Sequence, residues 1–139
     1  MRFLLALAFC AASFTGALAG PFELGLPKFQ SFPHCGKESV LKRIVEQFNW
    51  AEKKTWNRGI TMHGVFDAHE HSTFPEGRRQ IPRRYCHAQA ALSDGSHRRI
   101  VYMIEGGQGF AGMGNNVAWC ISSLDPWREY GDGCRVLRY

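Results

Sequence analysis

Arg83-Arg84-Tyr85-Cys86-His87-Ala88-Gln89-Ala90-Ala91-Leu92 runs into Ser93-Asp94-Gly95-Ser96, and the chain resumes as His97-Arg98-Arg99-Ile100-Val101-Tyr102-Met103-Ile104-Glu105. Two strand-like runs around a turn signal read as a β-hairpin. Its register follows from which side chains share a face. A two-residue Asp-Gly loop pairs Leu92 with His97 and Ala90 with Arg99, which sets cations among core positions. A three-residue Ser-Asp-Gly loop, with Gly95 in a left-handed bulge, pairs Ala88 with Ile100 and Cys86 with Tyr102. It places Arg83 opposite Glu105 and Gln89 opposite Arg99 on the other face. A one-residue slip flips every side chain, so the segregated pattern is favoured.

Upstream of the hairpin the period is again two. Ile60, Met62, Gly64, Phe66 and Ala68 alternate with Thr61, His63, Val65, Asp67 and His69, which predicts a half-buried strand of roughly ten residues. Phe74-Pro75-Glu76-Gly77 is a turn signal between this strand and the next. Earlier still, Val40, Leu41, Ile44, Val45 and Phe48 form one helical stripe, and the spacing predicts a helix from Lys37 to Trp56. Trp50 and Trp56 are expected to finish its core contact, and Asn57-Arg58-Gly59 to stop it, with Gly59 at the left-handed C-cap. Downstream, residues 106–114 are a glycine-rich connection, and a fourth strand is expected from Val117 to Leu124. Asp125-Pro126 ends it, and Gly131-Asp132-Gly133 turns the tail back. The fold class is α+β: an N-terminal helix packed on a four-stranded antiparallel meander. In outline this is similar to the cystatin-like wrapping of a sheet around a helix.

Met1-Arg2 leads a short apolar run that ends at the small residues Ala17-Leu18-Ala19, the three parts of a secretory signal peptide over residues 1–19. The run is too short for the ~20 residues of a membrane span. An irregular arm with Pro21, Pro27 and Pro33 follows over residues 20–36, and one domain over 37–139. Cleavage after Ala19 leaves 139 − 19 = 120 residues and, with Arg2 gone, takes the formal charge from +5 to +4. That mildly basic balance suits weak attraction to anionic surfaces and specifies no nucleic acid. It also removes Cys10 and leaves Cys35, Cys86, Cys120 and Cys134, an even count that reads as two disulfides in an exported chain. Four cysteines allow three connectivities. The topology leans to Cys35–Cys86, at the start of the helix and of the second strand, and to Cys120–Cys134.

Ile81-Pro82-Arg83-Arg84-Tyr85-Cys86, the Ser93-Asp94-Gly95 turn, Gly109-Phe110-Ala111-Gly112, Trp119-Cys120 and Leu124-Asp125 resemble an uncharacterised family of short exported alphaproteobacterial proteins with four cysteines. The resemblance implies a periplasmic or secreted single domain, and it carries over no catalytic or binding residue.

Three features invite a chemical reading. His63, His69 and His71 share parity on the first strand, facing away from Met62 and Phe66, and His87 joins their face from the second. His-x-His on a strand aims two imidazoles the same way about 6–7 Å apart, a spacing that holds Zn²⁺ or Cu²⁺ when a neighbour adds a third ligand. Against this, Arg83 is expected close to His69, where a cation opposes a metal. Next, the glycine-rich connection lacks the following helix that a phosphate cradle requires. Its Gly109, Phe110 and Met113 instead suggest an interaction loop, or side chains tucked under the sheet edge. Finally, Glu70 and Glu105 with the histidines and the pairs Arg78-Arg79, Arg83-Arg84 and Arg98-Arg99 allow a ribonuclease-like acid–base set. Charged sheet faces are more often simply solvated. The leading expectation is a non-enzymatic binding domain that engages a protein or envelope component. The alternative is a metal-binding or hydrolytic protein.

Overall fold

The computed structural model describes residues 33–74 and 81–138. The expected signal peptide over residues 1–19, residues 20–32 of the expected arm and the expected turn signal at 75–80 lie outside the described residues. β2 (Arg83–Leu92) and β3 (His97–Gly106) pair in the register expected from side-chain segregation, with Ala88 opposite Ile100, Cys86 opposite Tyr102, Arg83 opposite Glu105 and Gln89 opposite Arg99. The turn works because Gly95 adopts φ +79°, a conformation costly for a side chain bearing a Cβ. Its N–H donates to the Leu92 carbonyl at 3.0 Å, and the Leu92 N–H donates to Ser96 at 3.0 Å. The Ser96 N–H and hydroxyl both donate to the Asp94 carboxylate, which holds that carboxyl below its usual range.

β1 (Met62–Phe74) and β4 (Asn115–Cys120) flank the hairpin, giving an antiparallel meander in the order β1-β2-β3-β4. Ahead of it, α1 (Glu38–Ala51) lies on one face. Val40, Ile44 and Phe48 are buried on Cys86, Ala88, Ala90, Ile100, Tyr102 and Ile104, while Leu41 and Val45 flank that contact half-buried. Full burial of Ile44 and Phe48 is worth about 1.5–3 kcal/mol each. The helix ends one way that its stop signal does not foretell. Residues Glu52–Trp56 form a π turn, with the Asn57 N–H bonded to the Glu52 carbonyl. Asn57, at φ 48°, takes the left-handed C-cap that Gly59 was suited to.

On the opposite sheet face the described residues cover the half at Val101 and Cys120. Residues Asp132–Leu137 form a short 3₁₀ segment that brings Cys134 and Leu137 onto Val101 and Cys120, with Met103, Ala118 and Tyr130 around them. The Cys120–Cys134 disulfide pins this tail, and Cys35–Cys86 pins the start of the helix, as the topology suggests. Closing loops of 51 and 14 residues stabilises by about 4 and about 3 kcal/mol on the chain-entropy account. The Tyr102 hydroxyl donates to the Cys35 carbonyl at 2.9 Å beneath the first disulfide. No helix among the described residues is long and apolar enough to cross a membrane.

Two strands depart from their expected form. β4 stops at Cys120, because Ser122–Leu124 turn into a 3₁₀ segment whose Leu124 carbonyl accepts from the Arg58 guanidinium at 2.9 Å. β1 is longer than its alternation suggests and carries three register shifts against β2: between Met62 and Gly64, Phe66 and His69, and Glu70 and Ser72. Each inserts one residue, so simple alternation breaks. Phe66 therefore pairs with Gln89 on the solvent face, beside the histidines rather than opposite them, and is 43% exposed.

Candidate functional site

The histidine face forms, but in a looser shape than strand parity implies. His69 stands directly opposite His87 with ring centroids 5.5 Å apart, and His71 lies 6.5 Å from His87. His63 and His71 both fall at register shifts and are exposed. Asp67, at φ 55° in the central bulge, lies 2.8 Å from His69 Nε2 and accepts from it when that nitrogen carries the proton. Among the described residues no group of three or more His, Cys, Asp or Glu is gathered closely enough to hold a metal ion. Arg83 does not approach His69, since it pairs with Phe74 across the strands and with Glu105 at 3.0 Å. The nearby cation is Arg99. Burial first, then Arg99, His69 and His71, push the His87 imidazole below its ordinary pKa. Glu70 pairs with Cys86 on the helix side of the sheet and ion-pairs with Arg84, so it does not join the histidines.

The glycine-rich connection holds its two large side chains in solvent. Phe110 is 93% and Met113 71% exposed on a 3₁₀ turn at Phe110–Gly112. A Cβ at Gly109 would stand 1.9 Å from the Met113 carbonyl oxygen, so this loop requires glycine there. Neither apolar side chain tucks under the sheet.

A third feature brings together residues far apart in the sequence. The chain has four tryptophans; three, Trp50, Trp56 and Trp119, line one groove beside β4, and Trp127 contacts Trp56. Trp56 contacts Trp119 at 6.3 Å and Trp127 at 6.4 Å between ring centroids, and Phe48 backs Trp119 at 5.6 Å. Trp50, Trp56 and Trp119 line a groove of about 520 Å³, with Tyr130, Gln47, Ile121 and Leu124 completing its wall. Trp50 is not a core residue, being 64% exposed, and Trp127 is 68% exposed. The groove is held from behind. Arg58 lies 4.5 Å over the Trp56 ring and bonds the buried Glu52 carboxylate, which ties the π turn to residue 124. The Trp119 indole N–H donates to Gln47 at 3.0 Å. The Trp56 N–H is buried without an acceptor among the described residues.

The groove's rim is acidic. Glu46, Asp125 and Glu129 line it, no lysine or arginine among the described residues does, and Lys42 reaches Glu46 from outside at 3.9 Å. Burial, and then the charge and hydrogen bond of Glu129, raise the Tyr130 phenol above its usual pKa, so it stays a neutral donor. In a chain of net charge +5 this is a local reversal of sign. Alternation alone does not signal the groove, because its residues come from the helix end, β4 and the segment after it. Comparison with protein-family models, with curated proteins and with solved structures finds no match. The functional reading therefore rests on these residues.

Proposed function

We propose that this is an exported, non-enzymatic binding domain of the periplasm or cell exterior, and that the tryptophan groove is its ligand site. The observation that carries the reading is the convergence of three of the four tryptophans, Trp50, Trp56 and Trp119, on one acidic-rimmed groove, with Trp127 against Trp56. A groove of that volume falls in the range of ligand sites, which are mostly apolar with a few placed polar groups. Large indoles standing in solvent cost stability unless something covers them, and tryptophan is enriched at the centres of binding surfaces. Export is supported by the two disulfides, which persist in oxidising compartments.

The test is a fragment screen with indoles, phenols and alkylammonium ions, read by the four indole N–H signals in NMR. Binders should move the Trp50 and Trp119 signals, and Trp50→Ala should weaken them about tenfold or more. Fragments that shift only β1 and β2 amides would sink the groove as the site. Export is tested separately. The secreted material should have the mass of residues 20–139 less the four hydrogens lost to two disulfides.

A further inference from the structure

The groove lies beside the edge of β4, not over a face of the sheet. Its wall includes Val117 and Trp119, whose side chains point to the helix, and also Ala118 and Cys120, whose side chains point to the tail. Successive residues of a strand face opposite ways, so a cavity touching both sets must run along the strand's edge.

The main-chain pattern says what that edge offers. The Leu92 N–H donates to the Ser96 carbonyl across the hairpin, and in the pairing that follows this turns the main-chain groups of Arg98, Ile100, Tyr102 and Ile104 toward β2. Gly106 keeps the same sense, bonding Pro82 at 2.9 Å. Val101, Met103 and Glu105 therefore bond their β4 partners Cys120, Ala118 and Asn116. Asn115, Val117 and Trp119 are left with N–H and C=O aimed away from the sheet. The Arg43 guanidinium confirms this sense by reaching the Asn115 carbonyl at 2.6 Å. Val117 and Trp119 thus present two donors and two acceptors to the groove.

The other sheet edge is unlike this one. β1 carries three register shifts and a left-handed Asp67, devices that make an edge a poor template for another strand. β4 has none.

Building on the binding-domain reading, we propose that the groove takes an extended peptide segment of a partner protein. The segment adds as a fifth strand along β4 and carries lysine or arginine between apolar residues. Main-chain bonds to Val117 and Trp119 supply the pairing, as in other strand-addition complexes. Alternate side chains enter between the indoles on the helix side. Cations meet Glu46, Asp125 and Glu129, and the tryptophan faces favour them further.

The experiment uses the full exported chain, disulfides intact and ¹⁵N-labelled. The probes are acetylated hexapeptides in which valine or phenylalanine alternates with lysine, the same set with glutamate for lysine, and the lysine set with alternate amides N-methylated. In free protein the amides of Asn116, Ala118 and Cys120 should exchange slowly and those of Val117 and Trp119 fast. A lysine peptide should slow the latter pair about tenfold or more; glutamate or N-methylation should weaken binding by a similar factor. Strand addition is overturned if no lysine peptide binds, or if one binds without protecting Val117 and Trp119. It is overturned equally if those amides are already slow without peptide. Concentration-independent protection then assigns the edge to the chain's own residues 20–32, and concentration-dependent protection to a second copy. Fragments that move the indole signals while every peptide fails leave the binding-domain reading standing and remove strand addition alone.

Discussion

The histidine face on β1 and β2 and the tryptophan groove beside β4 sit at opposite margins of one sheet, and they are built differently. The first gathers one residue type within a short run of sequence. Its ligand-like side chains fall on an irregular strand with three register shifts, and two of the four, His63 and His71, sit at the shifts and are exposed. The groove draws on residues from Glu46 to Tyr130, and two of its three indoles have fixed neighbours: Gln47 for Trp119 and Arg58 for Trp56. A site needs groups held in place by their surroundings, and composition along one strand does not supply that.

The sharpest way to break the comparison is to remove what holds the groove. Glu52 is 3% exposed and bonds Arg58 through its side-chain carboxylate. Glu52→Ala should leave the guanidinium partly buried without its carboxylate and cost about 3 kcal/mol in denaturant melts. Tryptophan emission should shift to the red before global unfolding, because Trp56 and residue 124 lose their common tie. A neutral substitution there would mean the groove is not held as described. A smaller effect is expected in the tail. Leu137→Ala empties a fully buried site over Val101 and should cost about 2–3 kcal/mol, with the Cys120–Cys134 bond limiting the collapse. A loss below about 1 kcal/mol would show that the tail is not packed on the sheet.

Much of this fold was legible before any coordinates. The Ser93-Asp94-Gly95 register and the helix face follow from face segregation and loop geometry, which are local or nearly so, and the topology leans to the two cysteine pairs that form without excluding the others. The β1 bulges were not legible, because alternation assumes one residue per step, and Phe66 therefore sits on the solvent face. The groove was hidden for a different reason. Trp50 and Trp56 look like core on a helical wheel, yet the π turn at Glu52–Trp56 and the early end of β4 decide what they face. Neither event has a spacing signature.

On the histidine face small effects are expected, and they sharpen the contrast. His69→Asn combined with His71→Asn should change stability by no more than about 0.5 kcal/mol, since both side chains are exposed. Zn²⁺ or Cu²⁺ should leave the melting temperature of the parent protein unmoved, as a metal raises it only by binding the folded state. Stoichiometric metal that survives dialysis and is lost in the double variant would reverse the ranking of the two regions.

The smallest effect belongs to His87, which stands opposite His69 and is half-buried. Burial, Arg99 and the neighbouring imidazoles lower its folded pKa below the unfolded value of about 6.5. Above that pH both states are neutral and the residue adds no pH dependence. As pH falls below it, the unfolded chain takes up the proton first, so the folded state loses stability until the lowered folded pKa is passed. Melting temperature should therefore drop from pH 7 toward pH 5, and His87→Gln should remove part of that slope while leaving pH 7 behaviour nearly unchanged. Arg99→Gln should flatten the slope less, because it removes only the second-ranked cause. An identical slope in parent and His87→Gln protein would show that this imidazole is freely solvated. The histidine face would then be no more than a polar surface at every position.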